Sequence, residues 1–323
     1  DQNQSTNEDE TLLKINDFFL SDKNLENNVS YDHVTEIIKE SYLNNNNDKC
    51  IHYLVFKEND FICLRTLASK DCKSFILAFH IESCYIFMIK KVSNQNLEHE
   101  INFCKHYSHR CLVHFYGFLM EHKEIVGFVY EFMCNNSLFS IEPKQINEVL
   151  ALMTINRIYQ GINYLHSHNL VHRDLSPFNI LFDHDFLPYI SDFETIRPLG
   201  NNSIMTFDFG NYLYSSPEQI QGKQITYKTD IYSFGLIVYF IINKKHAKKN
   251  DELAEKFDDM SHVSPSMINI SYYFETLYEL CVLPEPDERP TNEDIKNHII
   301  FEGNSFVYLK DYFIEFKDKI DRS

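Results

Sequence analysis

Hydrophobic positions divide the chain into a region with a strand-like pattern and a later region with a helical pattern. From residue 61 to 92, short apolar and β-branched runs alternate with polar turns, which predicts several strands. Residues 97–106 carry apolar side chains every three to four positions, which predicts a helix. The strand pattern then returns at 112–118 and at 125–132.

Beyond residue 136 the helical pattern dominates. Residues 146–166 repeat Ile, Leu and Tyr at helical spacing, and 232–242 is apolar nearly all round, as in a helix buried within a domain. This order predicts an α+β, bilobal fold. A small β-rich lobe with one helix would be joined near residues 131–136 to a larger helical lobe.

The two ends of the chain differ from this central region. Residues 1–57 are rich in Asn, Asp and Glu, and they are predicted to form a partly ordered extension or a docking and regulatory segment. Residues 306–323 have the spacing of an amphipathic helical tail that packs on the large lobe or on another chain. The basic run at 244–249 is interpreted as a solvated loop or a docking patch for acidic partners. A regulatory partner could therefore bind the extension or the tail.

Composition removes several classes of function. The 323 residues carry 30 basic and 47 acidic side chains, a net charge of −17, so nucleic acid and anionic membrane surfaces are not expected partners. The most apolar stretch, 234–242, is too short to span a bilayer. None of the eight cysteines forms a C-x-x-C pair, which favours reduced thiols and a cytoplasmic location.

The strongest chemical signal is the sequence His-Arg-Asp-Leu-Ser-Pro-Phe-Asn at 172–179. It resembles the catalytic loop of eukaryotic protein kinases, H-R-D-L-x-x-x-N. Other segments resemble further motifs of that family in the same order: Phe87–Lys90, Glu131–Met133, Ser191–Glu194, Ser216–Glu218, Asp230–Gly235 and Arg289–Thr291. The resemblance covers residues 58–305, with the small lobe at 58–132 and the large lobe at 133–305.

This resemblance implies a reaction and the residues that perform it. A protein kinase transfers the γ-phosphoryl group of Mg²⁺-bound ATP to a protein hydroxyl. By position, Asp174 would accept the proton of that hydroxyl. Lys90 would hold the nucleotide phosphates and pair with Glu100, and Asn179 and Asp192 would bind Mg²⁺.

The resemblance also implies supporting residues. The expected ATP-binding positions besides Lys90 are Phe75, Met88, Tyr130, Glu131, Met133 and Leu181. The expected activation segment includes Asp192, Glu194, Ser203, Thr206 and Glu218, with Ser203 and Thr206 as phosphate acceptors or merely polar loop residues. The expected structural positions are Arg173, Asp230 and Arg289, the last of which would pair with Glu218.

The sequence departs from the family pattern around the nucleotide. Ala68, Lys70 and Lys73 stand where the phosphate-binding loop has glycines, and Glu194 replaces the glycine of D-F-G. We interpret the two lysines as exposed hairpin side chains, with partial compensation by their charge as the alternative. Glu194 would repel phosphate unless it points away or faces a cation or metal.

Two more replacements, Phe75 and Met88, add volume beside the expected adenine site. These departures leave two functions open. The first is an active protein kinase, favoured because every charged catalytic position is filled. The second is a pseudokinase, a kinase-fold binding module with weak or no nucleotide binding. Ser176 and Asn211 match neither the usual Ser/Thr-kinase nor the usual Tyr-kinase residues, although the segment spacing favours Ser/Thr.

Overall fold

A computed structural model describes residues 53–70, 73–92, 97–142, 145–200, 212–243 and 271–298. These residues form a sheet with one helix followed by a mainly helical region, which confirms the predicted α+β bilobal fold. Residues 1–52 of the predicted extension, the basic run and the tail lie outside the described residues, and so do Ser203, Thr206 and Asn211. The last residues of the predicted extension, 53–57, are described and include a strand of the sheet. The limits of the domain at 58 and 305 stay predictions.

A six-stranded sheet forms the first lobe. Its strands are β1 Leu54–Phe56, β2 Phe61–Lys70, β3 Lys73–His80, β4 Tyr85–Val92, β5 Phe115–Glu121 and β6 Glu124–Glu131. The spatial order is β1-β5-β6-β4-β3-β2, and every neighbouring pair is antiparallel except β1 and β5, which are parallel. Aromatic side chains fill the sheet, and four of them, Phe56, Phe87, Phe118 and Phe128, are fully buried.

The strand predicted at 112–118 has the expected length but lies three residues later, at Phe115–Glu121. The amide of Val113 donates to the carbonyl of Ile190, 2.8 Å away, and the Ile190 amide donates to Cys111, 2.9 Å away. The backbone before Phe115 therefore pairs with the second lobe instead of extending the sheet. Helix α1, Glu98–His106, buries Glu100, Phe103 and Cys104.

The second lobe is built around two long helices. Its elements are α2 Glu148–Ser167, β7 Leu170–Val171, β8 Ile180–Phe182, β9 Pro188–Ile190, β10 Arg197–Pro198, α3 Pro217–Ile220, α4 Tyr227–Asn243, α5 Ser271–Cys281 and α6 Asn292–Lys296. The side chain of Asn147 caps α2 by accepting from the Leu150 amide at 2.9 Å. Helix α4 is buried along most of its length, as its uniformly apolar sequence predicts.

One hydrophobic core runs through both lobes. It includes Phe103 of α1, Phe128 of β6, Leu150 of α2 and Phe234 of α4. The short hairpin β8–β9 lies against α2, so the loops on either side of it are supported by the core. Among the described residues, no helix is both long enough and apolar enough to cross a membrane.

Candidate active site

Lys90 and Glu100 form a buried ion pair between the sheet and α1. The Lys90 Nζ atom lies 2.9 Å from each carboxylate oxygen of Glu100, and the two side chains are only 3% and 2% exposed. Burial alone would lower the pKa of Lys90, but attraction to Asp192, Glu100 and Glu194 outweighs it and raises that pKa. Lys90 is therefore a fixed positive charge at the back of the cleft.

Tyr130, at the end of β6, supports this pair from behind. Its hydroxyl donates to Glu100 Oε1 at 2.9 Å and lies 3.3 Å from Cys104 Sγ. The sequence indicated Tyr130 only as an expected ATP-binding position. The hydroxyl contact adds a positioning role, because it fixes one oxygen of the carboxylate that holds Lys90.

The loop 172–179 brings Asp174 and Asn179 together. The Asn179 side-chain amide donates to Asp174 Oδ2 at 3.0 Å and to the Asp174 carbonyl at 2.8 Å. This double contact orients the Asp174 carboxylate, which is largely buried. The amide and hydroxyl of Ser191 both donate to the Asn179 carbonyl, at 2.8 and 3.0 Å, so Asn179 also lies next to the residue that precedes Asp192.

Asp230, at the start of α4, holds the same loop from below. It accepts the backbone amides of His172 and Arg173 at 2.8 and 2.9 Å, and His166 Nε2 lies 2.9 Å from it. Burial works to raise the pKa of Asp230, but these hydrogen bonds and the nearby histidines hold it below its usual value. Arg173 has a φ of +74°, a left-handed conformation that costs an L-residue energy and that the surrounding contacts maintain.

Asp192 and Phe193 connect the segment that follows the loop 172–179 to α1 and to the Lys90–Glu100 pair. Asp192 has a φ of +60°, and its Oδ1 lies 3.4 Å from Lys90 Nζ. The buried ring of Phe193 packs against Phe103 at a centroid distance of 4.7 Å and against Tyr130 at 6.0 Å. The aromatic ring therefore anchors the chain so that the Asp192 carboxylate faces the Lys90–Glu100 pair.

Glu194 faces two lysines. Its Oε2 atom lies 2.6 Å from Lys73 Nζ and 3.2 Å from Lys90 Nζ. Lys73 is 28% exposed, so the interpretation of this residue as an exposed hairpin lysine is wrong. The strand alternation that aims Lys90 into the cleft also aims Lys73 there, and a carboxylate is present to receive it. The side chain of Lys70 lies outside the described part of the structure.

Asp192 and Asn179 suit a magnesium ion better than most other metals. Both offer oxygen atoms, which Mg²⁺ prefers, and Mg²⁺ in nucleotide sites takes its remaining ligands from phosphates and water. Among the described residues there is no group of three or more His, Cys, Asp or Glu side chains arranged to hold a metal. The chemistry of this two-residue donor set therefore fits a metal that arrives with a nucleotide.

The expected adenine-contacting residues line the other side of the same region. Phe75, Met88 and Leu181 are half-buried, whereas Tyr130 and Met133 are buried. Within the described residues, the Met133 amide has no hydrogen-bond acceptor, and the Glu131 amide already donates to His114 at 2.9 Å. The amide of Met133 is therefore a donor that this segment can offer to a planar heterocycle. Burial, with the charge of Asp183, raises the pKa of the Glu131 side chain to about 7.

The predicted pair of Glu218 and Arg289 is present and buried. Arg289 Nη1 and Nη2 donate to the two Glu218 oxygens at 2.7 and 2.8 Å. Next to Glu218, the side-chain amide of Gln219 donates through Nε2 to the carbonyl of Arg173 at 2.8 Å. This segment therefore connects the large lobe directly to the loop that carries Asp174.

Comparisons with known proteins agree with this geometry. The family model described as "Protein kinase domain" matches residues 73–301. The chain belongs to the protein kinase family. Kinase domains in general use ATP and Mg²⁺ and act on protein substrates.

Three relatives that match this chain are plant kinases. Mitogen-activated protein kinase kinase 3 of Arabidopsis thaliana is 30% identical over 241 residues, which cover 68% of this chain and 46% of the relative. Cysteine-rich receptor-like protein kinase 45 and serine/threonine-protein kinase STY46, of the same plant, are 36% and 29% identical; the matches cover 43% and 50% of this chain and 42% and 26% of those relatives. The chain therefore spans less than half the length of each of these relatives.

Proposed function

We propose that this kinase domain is catalytically active and transfers the γ-phosphoryl group of ATP, with Mg²⁺, to a serine or threonine hydroxyl of a protein. The observation that carries the proposal is the assembled Lys90–Glu100 pair, with Asp192 3.4 Å from Lys90. Phosphoryl transfer needs little covalent chemistry from the protein, so correctly placed charges provide most of the catalysis. The similarity to serine/threonine-protein kinase STY46 supports the choice of serine or threonine.

Each residue has a defined task in the reaction. Asp174 orients the substrate hydroxyl and takes its proton as the oxygen bonds to the γ-phosphorus and the bond to the ADP oxygen breaks. Asn179 holds Asp174 in position through the 3.0 Å contact. Lys90 attracts the phosphates and is itself held by Glu100. Bound Mg²⁺ supplies charge neutralisation at the phosphates, and Asp192 and Asn179 are the residues that would hold it.

We further infer that the hairpin of β2 and β3 takes the place of the family's glycine-rich loop. The antiparallel pairing of these strands runs up to Lys70 opposite Lys73. Ala68, Lys70 and Lys73 would then occupy the glycine positions, so the backbone of this loop is less able to approach phosphates closely. Side-chain charge is the available substitute.

A pseudokinase is the second candidate, and one observation favours it. The Glu194 carboxylate lies 3.2 Å from Lys90, in the region that a nucleotide phosphate would need. A domain in which this contact never opened would keep the fold and lose nucleotide binding.

Transfer of labelled γ-phosphate from ATP to a generic protein substrate tests the proposal. Wild type should transfer label, and Asp174→Asn should lower the rate at least about a hundredfold, because general-base catalysis contributes that much. Asp287→Asn is the matched control, since Asp287 is an exposed residue far along the chain, and it should retain the wild-type rate. Absence of transfer by the wild type, or equal rates for the wild type and Asp174→Asn, would contradict the proposal.

A further inference from the structure

A three-residue ionic bridge closes the cleft between the hairpin and the segment after Asp192. Glu194 Oε2 is shared by Lys73 Nζ at 2.6 Å and Lys90 Nζ at 3.2 Å. Lys73 begins β3, and the register pairs Phe75 of that strand with Lys90 of β4. Directly paired residues have side chains on the same face of a sheet, and so do residues two apart in one strand. Lys73 and Lys90 therefore project from one face toward the same carboxylate.

The hydrogen-bonding capacity of Lys90 is exhausted in this arrangement. A lysine ammonium has three N–H donors. Four carboxylate oxygens surround Lys90 Nζ: two of Glu100 at 2.9 Å, one of Glu194 at 3.2 Å and one of Asp192 at 3.4 Å. Three donors cannot fully satisfy four oxygens, so an incoming phosphate would have to compete with these carboxylates for Lys90. Glu100 is buried, whereas Glu194 is 31% and Asp192 is 38% exposed. Because Asp192 is the residue expected to hold Mg²⁺ with the nucleotide, Glu194 is the one that would withdraw.

The charges in the cleft also favour exchange of Glu194 for another anion. Two positive charges, Lys73 and Lys90, face three negative charges, Glu100, Asp192 and Glu194. If Glu194 turned out to solvent, Lys73 would lose its partner at 2.6 Å, and an incoming phosphate oxygen could take the shared position. Hydrogen bonds between charged groups are stronger than neutral ones, so a phosphate oxygen would be a favourable new partner for Lys73.

We propose that Lys73 and Lys90 form a two-lysine clamp for the polyphosphate of an adenine nucleotide, and that Glu194 occupies the phosphate position until the nucleotide displaces it. The inference rests on the proposed function, since it concerns how that same site binds ATP. Lys73 supplies by side-chain charge what a glycine-rich backbone supplies elsewhere in the family. Glu194 sets the affinity by competing with the nucleotide.

Titration of ATP, ADP and adenosine into the protein, with Mg²⁺ present and binding followed by calorimetry, tests the clamp. Glu194→Gln keeps the size of the side chain and removes its charge, so the competing carboxylate is gone and the variant should bind ATP about tenfold more tightly than wild type. The strength of one charge-assisted hydrogen bond from a lysine to Glu194 corresponds to about that factor. Adenosine lacks phosphate, so its affinity should be the same in all variants. Lys91→Met is the control for loss of a nearby lysine, since Lys91 pairs with Glu58 instead, and it should leave ATP affinity unchanged.

The decisive comparison is Lys73→Met introduced into the Glu194→Gln protein. If Lys73 binds phosphate, this second change should weaken ATP binding about tenfold and leave adenosine binding unchanged. If Lys73 serves only to neutralise Glu194, it has nothing to neutralise in this background and ATP affinity should not change. A change of less than twofold here, or a Glu194→Gln affinity within twofold of wild type, would overturn the clamp.

The outcomes separate the clamp from the proposed function. If wild type transfers phosphate but the substitutions of Glu194 and Lys73 leave ATP affinity unchanged, the clamp is wrong and the kinase activity stands. If the affinities follow the predicted pattern but no variant transfers phosphate, the clamp stands and the activity is wrong. If neither wild type nor Glu194→Gln binds ATP, both are wrong.

Discussion

Replacing Tyr130 by Phe removes a single buried hydroxyl from the contact that fixes Glu100. The hydroxyl donates to Glu100 Oε1 at 2.9 Å, and the Tyr130 side chain is only 4% exposed. A hydrogen bond to a charged group contributes about 1.5–3 kcal/mol, and the phenyl ring stays in place, so a cavity adds little. We therefore expect Tyr130→Phe to lower the free energy of unfolding by about 2 kcal/mol.

Urea denaturation followed by circular dichroism measures this loss, since the chain has no tryptophan to report by fluorescence. Tyr239→Phe is the matched control. The Tyr239 ring packs against Tyr278, and within the described residues its hydroxyl has no hydrogen bond, so the change should cost less than about 0.5 kcal/mol.

A second background tests the cause of the loss. In a Glu100→Gln protein the acceptor is neutral, so Tyr130→Phe should cost only about 1 kcal/mol. The reasoning is refuted if Tyr130→Phe costs no more than Tyr239→Phe, or if its cost is the same with Glu100 and with Gln at that position.

Two further predictions concern other parts of the domain. Arg289→Lys should destabilise the fold by about 3 kcal/mol or more in the same denaturation assay, because the guanidinium group of Arg289 donates to both Glu218 oxygens and to three backbone carbonyls. The control is Arg110→Lys at an exposed position, which should cost less than about 0.5 kcal/mol. Equal losses for the two variants would contradict this role of Arg289. Glu131 has its folded pKa raised from 4.5 to about 7, so the stability it contributes is fully present below pH 4.5 and is lost as pH rises through 7. The stability of Glu131→Gln relative to wild type should therefore rise between pH 4.5 and 7, and a pH-independent difference would contradict the raised pKa.

The sequence alone was enough to predict the fold and the positions of the main charged residues. Catalysis in this family requires particular residue types at fixed sequence spacings. Asp174 and Asn179 are an example, since they lie five residues apart and are hydrogen-bonded. The helices at 148–167 and 227–243 could be predicted from the spacing of their apolar residues. The first has an apolar face, and the second is apolar nearly all round because most of its surface is buried.

The side-chain contacts across the cleft could not be predicted in the same way. Lys73 and Glu194 are separated by 121 residues, and no local pattern connects them. The hydroxyl of Tyr130 likewise finds Glu100 only because β6 and α1 pack together. One signal was present: Lys73 lies two residues from Phe75, the strand partner of Lys90, which would have placed both lysines on one face.

The strand predicted at 112–118 began three residues too early for a related reason. Apolar residues such as Leu112 and Val113 have the same pattern whether they pair within a sheet or with a neighbouring lobe. Their backbone bonds go to the region of Ile190, and only the fold determines that choice.

The most direct test of a working nucleotide site in this domain is the change in melting temperature on adding ATP with and without Mg²⁺. The account predicts that ATP with Mg²⁺ raises the melting temperature of the wild type, that ATP without the metal raises it less, and that Asp192→Asn removes the difference, because Asp192 is a residue that would hold the metal. No shift with Mg²⁺ and ATP in either the wild type or Glu194→Gln would contradict the account.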